Sequence, residues 1–113
     1  THGGGYVPYQ LGRFASTNPN LDTYYNKKPV RDYLKNFYFD VELHEVAMRK
    51  AVVEVIGADR LLYGSNFGGS DAVRHDLTDG LGLSDNDLQK IRWKNACDLL
   101  RLDPAKIGAV GSV

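Results

Sequence analysis

The fold is decided by residues 36–67, which read NFYFDVELHEVAMRKAVVEVIGADRLLYGSNF. Residues 36–41 are aromatic and apolar up to Asp40, as in a strand covered on both faces, and residues 59–67 predict a second buried strand. Between the two strands the period changes to 3.6, which predicts a helix from Glu42 to Ile56. Since a strand, a helix and a second strand form the repeating unit of parallel sheets, these residues predict an α/β fold.

The predicted helix has two faces. Six apolar side chains share one arc: Leu43, Ala47, Met48, Ala51, Val52 and Val55. Glu42, Glu45 and Arg49 share the opposite arc, which is predicted to face solvent, whereas His44 falls within the apolar arc and is expected to pack. Gly57 is expected to end the helix in a left-handed conformation.

Helices and loops are also predicted on both sides of this unit. Residues 8–18 predict a short helix that starts at a proline, and residues 20–35 a long excursion with one helical turn. Ser84 and Asp87 form a capping box that opens a helix to about residue 102. Pro104 is expected to stop that helix and to leave an extended or frayed tail.

The composition describes one soluble globular domain spanning residues 1–113, with 42% hydrophobic and 25% charged residues. Fourteen basic and fourteen acidic residues cancel, which argues against nucleic acid or an anionic membrane as a partner. No apolar run approaches the roughly 18 residues that span a bilayer. Cys97, the single cysteine, is predicted to be a buried thiol, and the absence of disulfides favours the cytoplasm.

The chain is too short for a closed barrel of parallel strands. A (β/α)₈ barrel typically needs about 250 residues, whereas this chain holds two full strands and the stub of a third before His2. Working residues of such folds collect at the carboxyl ends of strands, and His2, Asp40 and Asn66 fall at such ends. The start at Thr1 indicates a chain that has been cut, so the missing strands are expected from elsewhere.

Several motifs together resemble a known family. They are HGGG at 2–5, Pro8, GR at 12–13, YFDV at 38–41, ADRLLYGSNF at 58–67 and IRWKNACDLLRL at 91–102. In this order they resemble the C-terminal part of the amidohydrolase-related family, of the aminocarboxymuconate-semialdehyde and γ-resorcylate decarboxylase type. The likeness covers most of residues 1–103, which corresponds to about three βα units of a (β/α)₈ TIM barrel.

The resemblance implies a metal-dependent enzyme, with zinc as the expected divalent ion, that removes carbon dioxide from an aromatic or unsaturated carboxylate. It assigns His2 as the catalytic acid and base, and Arg13 as the residue that binds a substrate carboxylate. At the position of Asn66 the family has an aspartate that completes the metal site, together with histidines from earlier strands. Hydrolases and hydratases occur on the same barrel and are the alternative reaction.

Elementary chemistry agrees with the first two assignments. Imidazole takes and returns protons near neutral pH, and the three glycines after His2 allow close backbone approach to a ligand. Arg13 offers a planar fork that suits a carboxylate. The alternatives without a functional role are that His2 is a frayed terminal histidine and that Arg13 is a solvated helix residue.

Asn66 departs from the family pattern because a carboxamide brings no charge to a metal. Asn66 is therefore expected either to hold a hydrogen bond or to leave the ligand role to Asp71 in the next loop. Because Asn66 replaces the acidic ligand, a binding or subunit-interaction module without catalysis is kept as an alternative function. The other partners expected are the N-terminal part of the barrel, in the same or a separate chain, and further identical copies.

The remaining polar and aromatic residues have structural interpretations. His75 is expected at the surface, and this chain has no paired histidines that would form a zinc site alone. Asp40 is predicted to form a cap or strand-end hydrogen bond, and Tyr63 and Trp93 to pack. Asn95 is predicted to satisfy a backbone group.

Overall fold

The computed structural model describes residues 2–14 and 28–107. Its α-helices are α1 (Leu11–Phe14), α2 (Val30–Leu34), α3 (Val46–Ile56), α4 (Asp85–Gln89), α5 (Asn95–Leu100) and α6 (Pro104–Ile107). Its strands are β1 (Phe39–Asp40) and β2 (Leu61–Leu62). Short 3₁₀ turns lie at His2–Gly4, Pro8–Gln10 and Ala58–Arg60, and a π-helical turn, Lys90–Lys94, joins α4 to α5.

Some predictions fall outside the described residues. These are the strand stub at Thr1, the end of the first predicted helix at 15–18, most of the predicted excursion at 20–27, and the tail at 108–113. The helical turn expected within that excursion is α2.

The two strands pair in parallel, as the strand–helix–strand pattern predicts. Phe39 lies opposite Leu61 and Asp40 opposite Leu62, and the Val41 N–H extends the ladder to the Leu62 carbonyl at 3.0 Å. The paired segments are shorter than the predicted strands, which covered residues 36–41 and 59–67. The described part of the chain is thus a small mixed α/β unit in which α3 connects two parallel strands.

The core lies between this sheet, α3 and the C-terminal helices. Its buried residues are Phe39, Val41, Val52, Leu61, Leu77 and Ile91. Five of the six are fully enclosed, so each removes a whole apolar side chain from water, which stabilises the fold by about 1.5–3 kcal/mol per side chain. Cys97 is buried as predicted.

The predicted helix from Glu42 to Ile56 is corrected at its start and on its faces. It begins at Val46, because Glu45 has extended backbone angles. Arg49, predicted to face solvent, is buried, and its Nη1 donates to the carbonyls of Leu43 (2.7 Å) and His44 (2.9 Å). These carbonyls precede the helix, so the guanidinium fixes the loop that leads into it.

Other residues near this helix also differ from the prediction. Glu42 is buried, whereas His44, expected to pack, is exposed, because both lie in the loop before α3 where helical periodicity does not apply. Met48, assigned to the apolar arc, is 44% exposed. Gly57 ends the helix with a positive φ of 89°, but its ψ of 149° is extended and not left-handed helical.

The C-terminal helices follow the prediction at their start. The Ser84 hydroxyl accepts a hydrogen bond from the Asp87 N–H at 3.2 Å, as the capping box predicts. In the π turn the Asn95 N–H reaches back to the Lys90 carbonyl, and the Ile91 carbonyl accepts from the Tyr63 N–H at 2.9 Å. The helix is thereby joined to the end of β2.

The prediction for the residues after α5 is corrected in one respect. Helix α5 stops at Leu100, and Arg101 adopts a left-handed conformation with φ of 54°. Pro104 then begins α6, where an extended tail was expected, because proline suits the first turn of a helix and the Asp103 carboxylate accepts from the Ala105 N–H at 3.1 Å. None of the helices in the described part of the chain has the length and apolarity needed to cross a bilayer.

Candidate active site

His2 is positioned by a backbone turn that requires glycine. His2–Gly4 form a 3₁₀ turn in which Gly3 and Gly4 are buried with φ of 56° and 75°. A Cβ on Gly3 would lie 2.5 Å from the Leu43 side chain, and one on Gly4 would lie 2.9 Å from the Phe39 ring. The glycines therefore allow the turn to pack against β1 and the loop that follows it.

Asp40, at the carboxyl end of β1, holds this turn in place. Its Oδ1 accepts hydrogen bonds from the backbone N–H of Gly3 at 3.0 Å and of Glu42 at 3.1 Å. The predicted strand-end hydrogen bond is thereby confirmed. Its Oδ2 lies 3.1 Å from Nδ1 of His2, so Asp40 fixes both the backbone and the ring of the candidate catalytic residue.

Glu42 is a residue of this site that the sequence analysis assigned to solvent. Its side chain is 2% exposed, and its Oε2 forms a close ion-pair contact with Nδ1 of His2. This contact is an ion pair and not a hydrogen bond, and the same oxygen has no hydrogen-bond partner among the described residues. Its position two residues after a strand-terminal aspartate was the signal that could have identified it.

The two carboxylates determine which nitrogen of His2 can do chemistry. Because Nδ1 lies at hydrogen-bond distance from Asp40 and in contact with Glu42, we assign the hydrogen donated to Asp40 to Nδ1, which leaves Nε2 for a substrate. A carboxylate on one nitrogen and the reacting group on the other is the arrangement by which an enzyme orients a histidine acid or base. The His2 side chain is 58% exposed, so Nε2 is accessible.

A second group of side chains shares Glu42. His44 Nε2 lies 4.0 Å from Asp71 Oδ2, and the potential ligand atoms of Glu42, His44 and Asp71 all lie within 4.8 Å of one another. Asn66 has a left-handed φ of 53°, and its Nδ2 donates a hydrogen bond to Asp71 Oδ1. The loop after β2 and the loop after β1 thus meet at the carboxyl edge of the sheet.

The structure places the other sequence-predicted residues as follows. Arg13 lies in α1 with an exposed side chain and, among the described residues, forms no hydrogen bond or ion pair that would hold it against His2. Its role stays a prediction. His75 is exposed as expected, and Asn95 satisfies the Ala58 and Leu61 carbonyls as predicted, at 2.7 and 2.8 Å.

Tyr63 and Trp93, the two large aromatic residues predicted to pack, are buried to different extents. Tyr63 accepts a hydrogen bond from the Leu77 N–H at 3.4 Å through its hydroxyl, and 37% of it is exposed. Trp93 is half-buried in the π turn.

Two clefts elsewhere in the described part are small. One of about 210 Å³ lies between α2 and the end of α3, and one of about 240 Å³ lies beside α4. Both fall below the roughly 300–1,000 Å³ of ordinary ligand pockets. Neither is lined by His2, Asp40, Glu42, His44 or Asp71, so the cluster at the sheet edge is the better candidate site.

Comparison with known proteins finds similarity to a curated protein but no family assignment. No family model matches the chain. The chain is similar to a protein of Dictyostelium discoideum named 2-amino-3-carboxymuconate-6-semialdehyde decarboxylase, with 27% identity over 111 residues that cover 93% of this chain. The chain spans 31% of that protein's length. This similarity supports the resemblance that the HGGG and YGSNF motifs carry.

Proposed function

We propose that this chain is the C-terminal part of an amidohydrolase-type (β/α)₈ barrel that removes carbon dioxide from an aromatic or unsaturated carboxylate without an external oxidant. The observation that carries the proposal is the contact of His2 Nδ1 with two carboxylates. These belong to Asp40, at the carboxyl end of β1, and to Glu42, two residues later. The similarity of the chain to a protein named as a decarboxylase supports the choice of reaction class.

The proposed reaction uses His2 Nε2 to manage one proton. The bond between the substrate carbon and its carboxylate breaks, carbon dioxide leaves, and the electron pair stays on the carbon. The imidazolium donates its Nε2 proton to that carbon, and water returns a proton to the ring afterwards. Asp40 and Glu42 keep the ring oriented throughout.

Arg13 is proposed to bind a carboxylate of the substrate. A guanidinium can donate two parallel hydrogen bonds to a carboxylate, which fixes the plane of the group. The exposed side chain on α1 is free to do so, since no described residue pairs with it.

A divalent ion, zinc in particular, fits the acidic groups at this sheet edge better than it fits Asn66. The amide of Asn66 brings no charge and donates to Asp71, whereas the carboxylate of Asp71 brings negative charge and its Oδ2 lies 4.0 Å from Nε2 of His44. When bound, such an ion supplies positive charge that stabilises the negative charge of the substrate as it develops.

The remaining strands of the barrel are proposed to come from other segments, in the same or a separate chain. The two-stranded parallel sheet of the described residues leaves strand edges on which further strands could pair. Phe67, in the loop after β2, is 98% exposed, which is the condition expected of a side chain that another part of the barrel covers. We also propose that identical copies of the protein assemble into an oligomer.

The experiment is to compare His2→Asn with His75→Asn, an exposed histidine outside the site, for release of carbon dioxide from a panel of aromatic and diene carboxylates. We expect His2→Asn to lower kcat by about 10²–10⁴-fold with an unchanged circular dichroism spectrum, and His75→Asn to retain turnover. Equal turnover in both variants would remove His2 from the mechanism. A product that has gained water and kept its carboxylate would instead identify a hydratase or hydrolase.

A further inference from the structure

We propose that the cleft between α2 and the end of α3 binds a small carboxylate with a compact apolar body. The carboxylate is met by the cations that line the cleft, which are Arg31, Lys35 and Arg60. This cleft is separate from the candidate active site, so the inference goes beyond the proposed decarboxylation and does not depend on it.

The first argument is the charge of the cleft. All three of its charged lining side chains are cations, and no carboxylate lines it. Of the three, only Lys35 pairs with an acidic group among the described residues, since its Nζ lies 3.0 Å from Oδ1 of Asp32. A cleft whose walls carry one sign of charge concentrates ions of the opposite sign. The cleft therefore favours an anion.

Arg60 is fixed in the cleft by a partner that brings no charge. Its Nη1 donates a hydrogen bond to the hydroxyl of Tyr38 at 2.8 Å, and its guanidinium carbon lies 5.0 Å from the centre of the same ring. Arg31 is exposed and forms no ion pair or hydrogen bond through its side chain in the part of the chain that the structure describes. Both guanidinium groups thus keep N–H donors for a carboxylate, to which a guanidinium can donate two parallel hydrogen bonds.

The second argument is the apolar part of the wall. The other lining residues are all aliphatic: Leu11, Leu34, Val55 and Ile56. An inorganic anion would leave this surface in contact with water, whereas an apolar body would cover it. The cleft holds about 210 Å³, which is small for a ligand of ordinary size, but apolar cavities of roughly 150 Å³ bind benzene. A body of about one ring therefore suits the space.

The cleft and the candidate active site lie at opposite ends of the strands. Tyr38 and Arg60 directly precede β1 and β2, so their contact lies at the amino ends of the parallel pair. Asp40 and Glu42, which contact His2, lie at and after the carboxyl end of β1. A ligand in the cleft does not occupy the place of a ligand at His2, so the two can be distinguished by the residues that respond.

The experiment is a titration of isotopically labelled protein with cyclohexanecarboxylate, followed by nuclear magnetic resonance. This probe has one saturated ring, so it represents the ligand class without being a substrate of the proposed decarboxylation. We expect saturable shifts of the backbone N–H signals of Leu34 and Ile56. Cyclohexanecarboxamide has the same ring without the charge and is expected to shift these signals only weakly.

A double variant tests the cations. Arg31→Gln combined with Lys35→Gln changes exposed side chains, so it should fold, and it is expected to raise Kd by about tenfold or more. The matched control is Arg74→Gln combined with Lys106→Gln, which removes the same charge elsewhere on the surface. Lys106, like Lys35, pairs with an aspartate three residues earlier. The control is expected to leave Kd unchanged.

Three results would overturn the inference. The first is equal binding of the carboxylate and the carboxamide, or an equal Kd in the two double variants, because charge would then have no role. The second is inorganic phosphate that shifts the same signals with the same Kd, because the apolar wall would then contribute nothing. The third is a set of shifts confined to Gly3–Gly5, which would place the probe at His2. Binding in the cleft by a protein that releases no carbon dioxide would uphold the inference and refute only the decarboxylase proposal.

Discussion

The backbone N–H of Gly3 donates a 3.0 Å hydrogen bond to Oδ1 of Asp40, a residue 37 positions later in the sequence. The same carboxylate contacts the ring of His2 through its other oxygen. One side chain at the end of β1 thus positions both the backbone and the imidazole of the candidate site. The glycines beside His2 serve this contact, because a larger residue would separate the turn from the strand.

A substitution of Gly3 by alanine is expected to destabilise the protein more than the same substitution of Gly5. Both residues have nearly equal φ, 56° and 58°, so the backbone strain of about 1–2 kcal/mol is common to both variants. Only at Gly3 would the added Cβ meet a neighbour, Leu43 at 2.5 Å. We expect Gly3→Ala to lose about 1–3 kcal/mol more free energy of unfolding in urea titrations. Equal losses would show that the turn does not pack as described.

Asn95 predicts a second stability difference. Its Nδ2 donates to the carbonyls of Ala58 and Leu61, and the residue is buried. Asn95→Ala leaves both carbonyls without this donor, which is expected to lower the free energy of unfolding by about 2–4 kcal/mol. Asn86→Ala, at an exposed position of α4, is the control and should change it by less than about 0.5 kcal/mol. A similar effect of both variants would contradict the bridging role of Asn95.

The sequence predicted those features that depend on local pattern. The strand–helix–strand order, the Ser84 cap and the hydrogen-bonding role of Asn95 follow from periodicity and from residue chemistry within one element. The parallel pairing of the strands follows from the helix between them, because a crossover of that length brings the second strand back beside the first.

The residues that sequence reasoning missed lie where periodicity fails. Glu42 and His44 were assigned to helix faces, but they belong to the loop before α3, so their surroundings depend on His2 and Asp71, which are distant in sequence. Arg49 is buried because its guanidinium binds two carbonyls of that loop. The π turn likewise depends on a tertiary contact, the hydrogen bond from Tyr63 to the Ile91 carbonyl.

The proposed substrate contact of Arg13 gives a kinetic prediction. Arg13→Gln removes the charge that would pair with a substrate carboxylate and is expected to raise KM by roughly tenfold or more, since hydrogen bonds to charged groups contribute about 1.5–3 kcal/mol. Arg74→Gln, at another exposed arginine, should leave KM unchanged. The measurement is steady-state decarboxylation of the carboxylate that the unaltered protein turns over. An unchanged KM in Arg13→Gln would end this assignment.

Asp76 makes stability depend on pH. Burial acts to raise its pKa, but hydrogen bonds from the Thr78 hydroxyl and N–H and the Arg92 guanidinium together outweigh burial and hold the pKa of Asp76 below its ordinary 3.8. A pKa that is lower in the folded state means that the unfolded chain binds a proton more readily. The contribution is therefore fully present above about pH 4 and is lost as pH falls through the folded-state pKa.

An Asp76→Asn variant should accordingly be less stable than the unaltered protein at pH 7, and the difference should shrink below pH 4. The reason is that protonation of Asp76 removes from the unaltered protein the same ion pair with Arg92 that the substitution removes. The measurement is the free energy of unfolding in urea at a series of pH values, with Asp79→Asn, an exposed aspartate, as the control. A difference between Asp76→Asn and the unaltered protein that stays constant from pH 7 to pH 3 would show that the carboxylate contributes by its shape and not by its charge.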